Sequence, residues 1–124
     1  MSKSHLYATI GFLVLAIGFI SYRSLAPAPA SLEIIALAQC LSDKGATMYG
    51  AEWCSHCQAE KARFGDASTF VPYVECPQEP DKCLAAGIEG YPTWIFADGR
   101  KLVGEQGLEK LAQVSGCQFG TSSR

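Results

Sequence analysis

Apolar residues follow three different rhythms along this chain. The first is continuous: Leu6 to Tyr22, LYATIGFLVLAIGFISY, runs for 17 residues without a charge. As a helix this segment is about 25 Å long at about 1.5 Å per residue, a short crossing of a hydrocarbon layer about 30 Å thick. Tyr7 and Tyr22 stand at its ends, where interfacial rings are favoured. The second rhythm is helical. Ile34, Leu37, Ala38 and Leu41 follow i, i+3, i+4, i+7 spacing and predict a helix over Ser31–Lys44, ended at Gly45. Leu108, Leu111, Ala112 and Ser115 predict another, ended at Gly116. The third is that of strands. ATMYGA (46–51) reads as a buried strand, FVPYVEC (70–76) as a second, and TWIFADGRKLVGE (93–105) as a hairpin turning at Asp98-Gly99. Between these, QAEKARF (58–64) and Asp81–Ala86 carry helix formers, the latter closed by Gly87.

The predicted order behind the apolar run is α-β-α-β-α-β-β-α. Two strands separated by a helix, then a hairpin, predict an α/β fold with a mixed sheet between helices. The domain spans residues 31–124, behind an N-terminal segment (1–24) and a Pro/Ala spacer, 25–30. The first segment fits an uncleaved single-pass membrane anchor, with Lys3 left in the cytoplasm. A cleaved signal peptide is the alternative, since APAPA (26–30) offers small residues in Ala-x-Ala spacing. Against cleavage, Arg23 and the prolines interrupt the approach to that site.

Charge removes one class of function. Residues 31–124 hold eight basic and twelve acidic side chains with no basic stripe, so nucleic acid is not an expected partner. Six cysteines, at 40, 54, 57, 76, 83 and 117, are many for 124 residues. An even count behind a hydrophobic N-terminus points to an oxidising compartment outside the cytoplasm.

The chemistry concentrates in EWCSHCQ, 52–58, where a predicted strand gives way to a helix. Cys54 falls at the helix N-terminus, where the helix dipole and free N–H groups favour a thiolate. Cys57 lies one turn further in. Cys54 is then the attacking thiol and Cys57 the resolving one, because exchange leaves a mixed disulfide that a second thiol must break. His56, if charged, stabilises the Cys54 thiolate and makes the disulfide a stronger oxidant. Zinc uses the same spacing but needs about four ligands, and no second pair accompanies this one; His5 lies in the membrane segment. No metal and no cofactor are expected. A static disulfide at this spot would staple very little chain.

A second cluster is GYPTW, 90–94. Pro92 starts a predicted strand, which is an ordinary place for proline. A cis Tyr91-Pro92 bond is the alternative; it would leave the Tyr91 backbone free to pair with an extended peptide.

WCSHC and GYPTW, in this order and followed by the hairpin and last helix, resemble the thioredoxin superfamily over residues 46–116. GATMYGAEWCSHCQAEKARFG, YVEC, AAGIEGYPTW and LEKLAQVSG more narrowly resemble the thioredoxin-like domain fused to bacterial and plant vitamin K epoxide reductase (VKOR) homologues. The resemblance implies a thioredoxin-like fold whose usual first strand is missing here. It implies catalysis by Cys54 and Cys57, and substrate contacts at Trp53, Tyr91, Pro92 and Thr93. It further implies exported protein thiols as substrates and a quinone-linked VKOR-like membrane protein as the oxidising partner. The site would face the periplasm or thylakoid lumen from a cell (inner) membrane. The chain departs from thioredoxins at Met48, where they usually carry a buried aspartate; the proton shuttle it provides is absent here unless Glu52 substitutes from a more exposed place. That departure counts against a thioredoxin-type reductase and favours an oxidase.

Cys76 and Cys83 flank PQEPDK, and a structural disulfide there contributes about 2–3 kcal/mol. A second redox pair and free thiols are the alternatives. Cys40 and Cys117 stand near the two ends of the domain. They bridge it if their Cα atoms approach within about 7 Å; otherwise Cys40 is a buried thiol or Cys117 cross-links a dimer. Trp94 and Phe96 are expected in the core, and Glu33, Glu60 and Glu109 on solvated helix faces. Two readings compete with the oxidase: an extracytoplasmic disulfide reductase, and a non-catalytic thioredoxin-fold binding module with static disulfides.

Overall fold

The structure, a computed structural model, describes residues 3–120. The outermost ends of the expected anchor and domain, residues 1–2 and 121–124, lie outside the described residues. Helix α1 spans Lys3–Leu25 with no buried residue. Its most apolar 18-residue window has a mean hydropathy of 1.7, so it is long and apolar enough to cross a membrane.

Helix α2 (Leu32–Asp43) starts where Ser31 accepts the N–H of Ile34, and it buries Leu37, Ala38 and Leu41. Strand β1 (Thr47–Gly50) buries alternate residues, Met48 and Gly50. Helix α3 (Ser55–Phe64) begins directly after Cys54. A 3-10 turn (Gly65–Phe70) leads to β2, Tyr73–Glu75. The second strand is therefore shorter than its apolar run predicts: Phe70 belongs to the 3-10 turn and Pro72 stays outside the strand. Helix α4 (Pro80–Ala85) follows, then the hairpin strands β3 (Thr93–Ile95) and β4 (Lys101–Val103), then α5, Leu108–Ser115.

The sheet order is β2-β1-β3-β4. Strand β2 is parallel to β1, while β3 and β4 are antiparallel to their neighbours. This four-stranded mixed sheet between helices is consistent with a thioredoxin-like fold, and no strand precedes Thr47 among the described residues. The core gathers Leu37, Leu41, Met48, Phe64, Trp94 and Leu111 around β1 and β3. A disulfide joins Cys40 on α2 to Cys117 beyond α5, with Cα atoms 6.0 Å apart.

The Pro/Ala spacer is tied to the domain rather than free. The N–H of Asp66 donates to the Ala28 carbonyl at 2.9 Å, and the Asp66 carboxylate accepts the Ala30 N–H at 2.8 Å. Gly65, at φ +57°, permits this approach: a Cβ there would meet the Ala28 carbonyl oxygen at 2.3 Å.

Candidate functional site

Strand β1 ends against the sheet centre, and the chain must leave it through Ala51–Cys54 to enter α3. Cys54 is the N-cap of that helix in an extended conformation, and its Sγ accepts the Cys57 N–H at 3.3 Å. A sulfur here takes the place of a capping oxygen at the positive end of the helix. One turn on, Cys57 is 1% exposed against 8% for Cys54, so an incoming disulfide reaches Cys54 first. Both are free thiols. Burial, then the hydrogen bond with Cys54, pushes the Cys57 thiol up to about 11, with Lys61 acting the other way.

His56 takes a different partner from the one its place in the motif predicts. Its ring stands 71% exposed, and Nδ1 meets the Glu105 carboxylate at 2.5 Å. Arg63 holds the other oxygen of Glu105 at 3.1 Å. The His56 hydrogen bond and then the Arg63 one hold the Glu105 carboxyl below its ordinary value. Arg63 also faces Glu60 at 3.4 Å.

Glu60 was expected on a solvated face, and the structure corrects this: the residue is fully buried. Its carboxylate accepts the Trp94 indole N–H at 3.0 Å, the Gln106 N–H at 2.9 Å and the Gly107 N–H at 3.2 Å. Its place on the Cys57 and Phe64 face of α3, at i+3 and i−4, carried the signal that was missed. Glu33 and Glu109 are exposed as expected, and Trp94 and Phe96 are buried.

Across the site, the Tyr91-Pro92 peptide bond is cis. Pro92 and Thr93 are buried; the Thr93 hydroxyl donates to the Gly90 carbonyl at 2.7 Å. Trp53, 73% exposed, meets the Tyr91 ring edge-on at 6.0 Å between centroids. The motif and the 90–94 segment are thus in contact through these two rings.

Met48 is buried, and Glu52 is exposed with its N–H donating to the Glu75 carboxylate at 2.8 Å. A polar side chain comes close to Cys57 from β2 instead. A Cβ on Gly50 would lie 2.7 Å from Cys57 Sγ and 3.1 Å from the Tyr73 hydroxyl, so both atoms crowd one point. That hydroxyl donates to Glu75 at 2.8 Å, and Lys61 Nζ sits 3.2 Å from the Tyr73 ring centre. Burial, then the Glu75 hydrogen bond, pushes the Tyr73 hydroxyl far up, and burial lowers Lys61.

Cys76 and Cys83 form a disulfide from the end of β2 to α4, with Cα atoms 5.7 Å apart. Among the described residues no three His, Cys, Asp or Glu side chains converge as metal ligands.

No protein-family model matches the chain. It is 42% identical over 104 residues to the thiol-disulfide oxidoreductase LTO1 of Arabidopsis thaliana, a match covering 77% of this chain and 27% of that protein. It is 38% identical over 73 residues to a protein disulfide-isomerase of Humicola insolens, covering 52% of this chain and 14% of the relative. A protein disulfide-isomerase of Aspergillus niger is 40% identical over 50 residues, covering 35% and 10%. The chain thus spans about a quarter or less of these relatives. With the fold, they support a place in the thioredoxin-like superfamily.

Proposed function

We propose that this chain is a membrane-anchored thiol–disulfide oxidoreductase that works outside the cytoplasm and oxidises the thiols of exported proteins. The observation that carries the exchange chemistry is Cys54 capping α3 through its sulfur, with Cys57 buried one turn behind it. The relatives' names support thiol–disulfide chemistry. In this reading the substrate thiolate attacks Cys54 Sγ, Cys57 leaves, and a second substrate thiol attacks the substrate sulfur of the mixed disulfide. The substrate is released as a disulfide and the Cys54–Cys57 pair as a dithiol. Trp53, Tyr91, Pro92 and Thr93 contact the incoming chain. A VKOR-like quinone-linked membrane protein restores the disulfide. Residues 1–24 anchor the domain of residues 31–124, with Lys3 on the cytoplasmic side and the site on the periplasmic or lumenal side. Helix α1 supports the anchor by length and composition.

A disulfide reductase is the second reading, favoured by one observation: the His56 ring, which was expected to serve Cys54, is hydrogen-bonded to Glu105. The deciding measurement is the reduction potential of Cys54–Cys57 in the full chain in detergent, against glutathione buffers. A value of about −120 to −200 mV is expected for an oxidase; about −270 mV or below reverses the direction. Failure of C57A to retain any disulfide-linked protein through Cys54 overturns exchange itself and leaves a binding module.

A further inference from the structure

Cys57 has a problem that the rest of the site does not solve. When a thiolate attacks Cys54 of the disulfide, Cys57 leaves with a negative charge. Cys57 is 1% exposed, and Cys54 offers it no proton while held in a mixed disulfide. In the reverse step Cys57 must lose a proton before it attacks. Buried Met48, on the same strand, cannot carry one.

Tyr73 and Glu75 lie on one face of β2, at i and i+2, and Tyr73 approaches Cys57 across Gly50. Tyr73 Oη and Cys57 Sγ crowd the same point above Gly50, so at most one water separates them. The Tyr73 hydroxyl is already committed to Glu75 at 2.8 Å. The other oxygen of Glu75 accepts the Glu52 N–H at 2.8 Å, which fixes the carboxylate, and Glu75 is half-buried, so it reaches solvent. Lys61, over the Tyr73 ring, and the exposed Glu52 are the other charged groups facing this cluster.

We propose that Tyr73 and Glu75 are the proton path of Cys57: the Tyr73 hydroxyl passes to Cys57, or takes from it, the proton exchanged at the Glu75 carboxylate. The inference rests on the exchange chemistry above. The balance is complete without another reactant. As the Cys54–Cys57 bond breaks, Cys57 Sγ takes a proton from Tyr73 Oη and Tyr73 is refilled from the Glu75 carboxyl. Glu75 recovers it from water, to which the attacking thiol released its own. In ring closure the proton runs the other way: Cys57 thiolate attacks Cys54 Sγ, the Cys54–Cys57 bond forms and the substrate thiolate departs. Because burial and Glu75 keep Tyr73 protonated, Tyr73 conducts the proton rather than storing it.

The test uses the full-length reduced chain in detergent and oxidised glutathione as probe. Acid quenching and mass spectrometry follow formation and closure of the Cys54–glutathione mixed disulfide from about pH 5 to 10. Y73F and E75Q are each expected to slow closure at neutral pH about a hundredfold or more, the range for a lost proton-transfer group. They leave the first attack by Cys54 unchanged. The double variant is expected to be no slower than the worse single one, because the groups act in series. E75D is expected to recover part of the rate. Closure at the wild-type rate in both variants, or equal slowing of first attack and closure, overturns the proposal. Y73F keeps the ring under Lys61, so a folding defect in E75Q alone leaves Y73F to decide. If wild type forms no mixed disulfide at Cys54, the exchange reading fails instead.

Discussion

The Glu60 carboxylate accepts a hydrogen bond from the indole of Trp94 at 3.0 Å with neither group exposed to solvent. The same carboxylate takes the N–H groups of Gln106 and Gly107, so one side chain of α3 ties together β3 and the approach to α5. Removing it strands buried donors. E60A is expected to cost about 2–4 kcal/mol, as the sum of orphaned polar groups and a cavity. Urea unfolding measures this. A loss under about 0.5 kcal/mol would mean that water replaces the carboxylate at no cost.

Cys54 and Cys57 are expected to separate cleanly in alkylation. Iodoacetamide near neutral pH should modify Cys54 and spare Cys57, whose thiol is pushed up to about 11 by burial. Cys57 should react only as pH rises towards that value. Its raised value also means that the folded state holds this proton more tightly than the unfolded chain. The associated stability is present below the ordinary 9.0 and is lost as pH climbs through about 11. Peptide mapping after alkylation at several pH values checks this; prior labelling of Cys57 reverses the assignment of roles.

Much of this was legible in the sequence because local rules and tertiary context agree. Ser31 caps α2, the glycines at 45, 87 and 116 follow three helices, and the β-alternation of Met48 and Gly50 matches a central strand. Cys54 at the head of α3 follows from the strand-to-helix change alone. Other features depend on distances between elements, which no local pattern carries. Glu60 looks like any charge on a helix until β3 delivers Trp94 to it. His56 was expected to serve Cys54, and a loop 49 residues away supplies Glu105. Tyr73 read as a plain strand residue because its approach to Cys57 runs across Gly50 of the neighbouring strand. The Cys40–Cys117 bridge needed a Cα separation that only the packing of α2 on α5 provides.

The Glu105 pair has a defined pH window. His56 and Arg63 favour the charged carboxylate, so its folded value lies below the ordinary 4.5. Below 4.5 the unfolded chain binds this proton more readily than the folded protein does. The stability it contributes is therefore full above that value and lost as pH falls through the folded value. Wild type is expected to exceed E105Q in stability at about pH 5.5 and to lose that advantage progressively as pH falls below 4.5. Denaturation midpoints across this acid range check this, and a constant difference would place the effect on another group. Because the pair is solvent-exposed, the difference should also shrink in high salt.

The last expectation concerns the spacer rather than the thiols. Two hydrogen bonds, one from the Asp66 N–H and one to its carboxylate, hold residues 28–30 against the 3-10 turn. Proline and alanine at 26–30 bring no polar side chain of their own, so the tether depends on this residue. D66A removes one bond worth about 1 kcal/mol, which raises the open fraction of the segment about fivefold. Proteinase K should then cut the full chain between Leu25 and Ser31 about fivefold faster in detergent. D66N keeps the accepting oxygen and is expected to cut at nearly the wild-type rate. G65A strikes the other side of the same contact, because its Cβ would sit 2.3 Å from the Ala28 carbonyl oxygen. It should therefore open the spacer at least as far as D66A does. If neither D66A nor G65A changes the cleavage rate, the domain swings freely on its spacer.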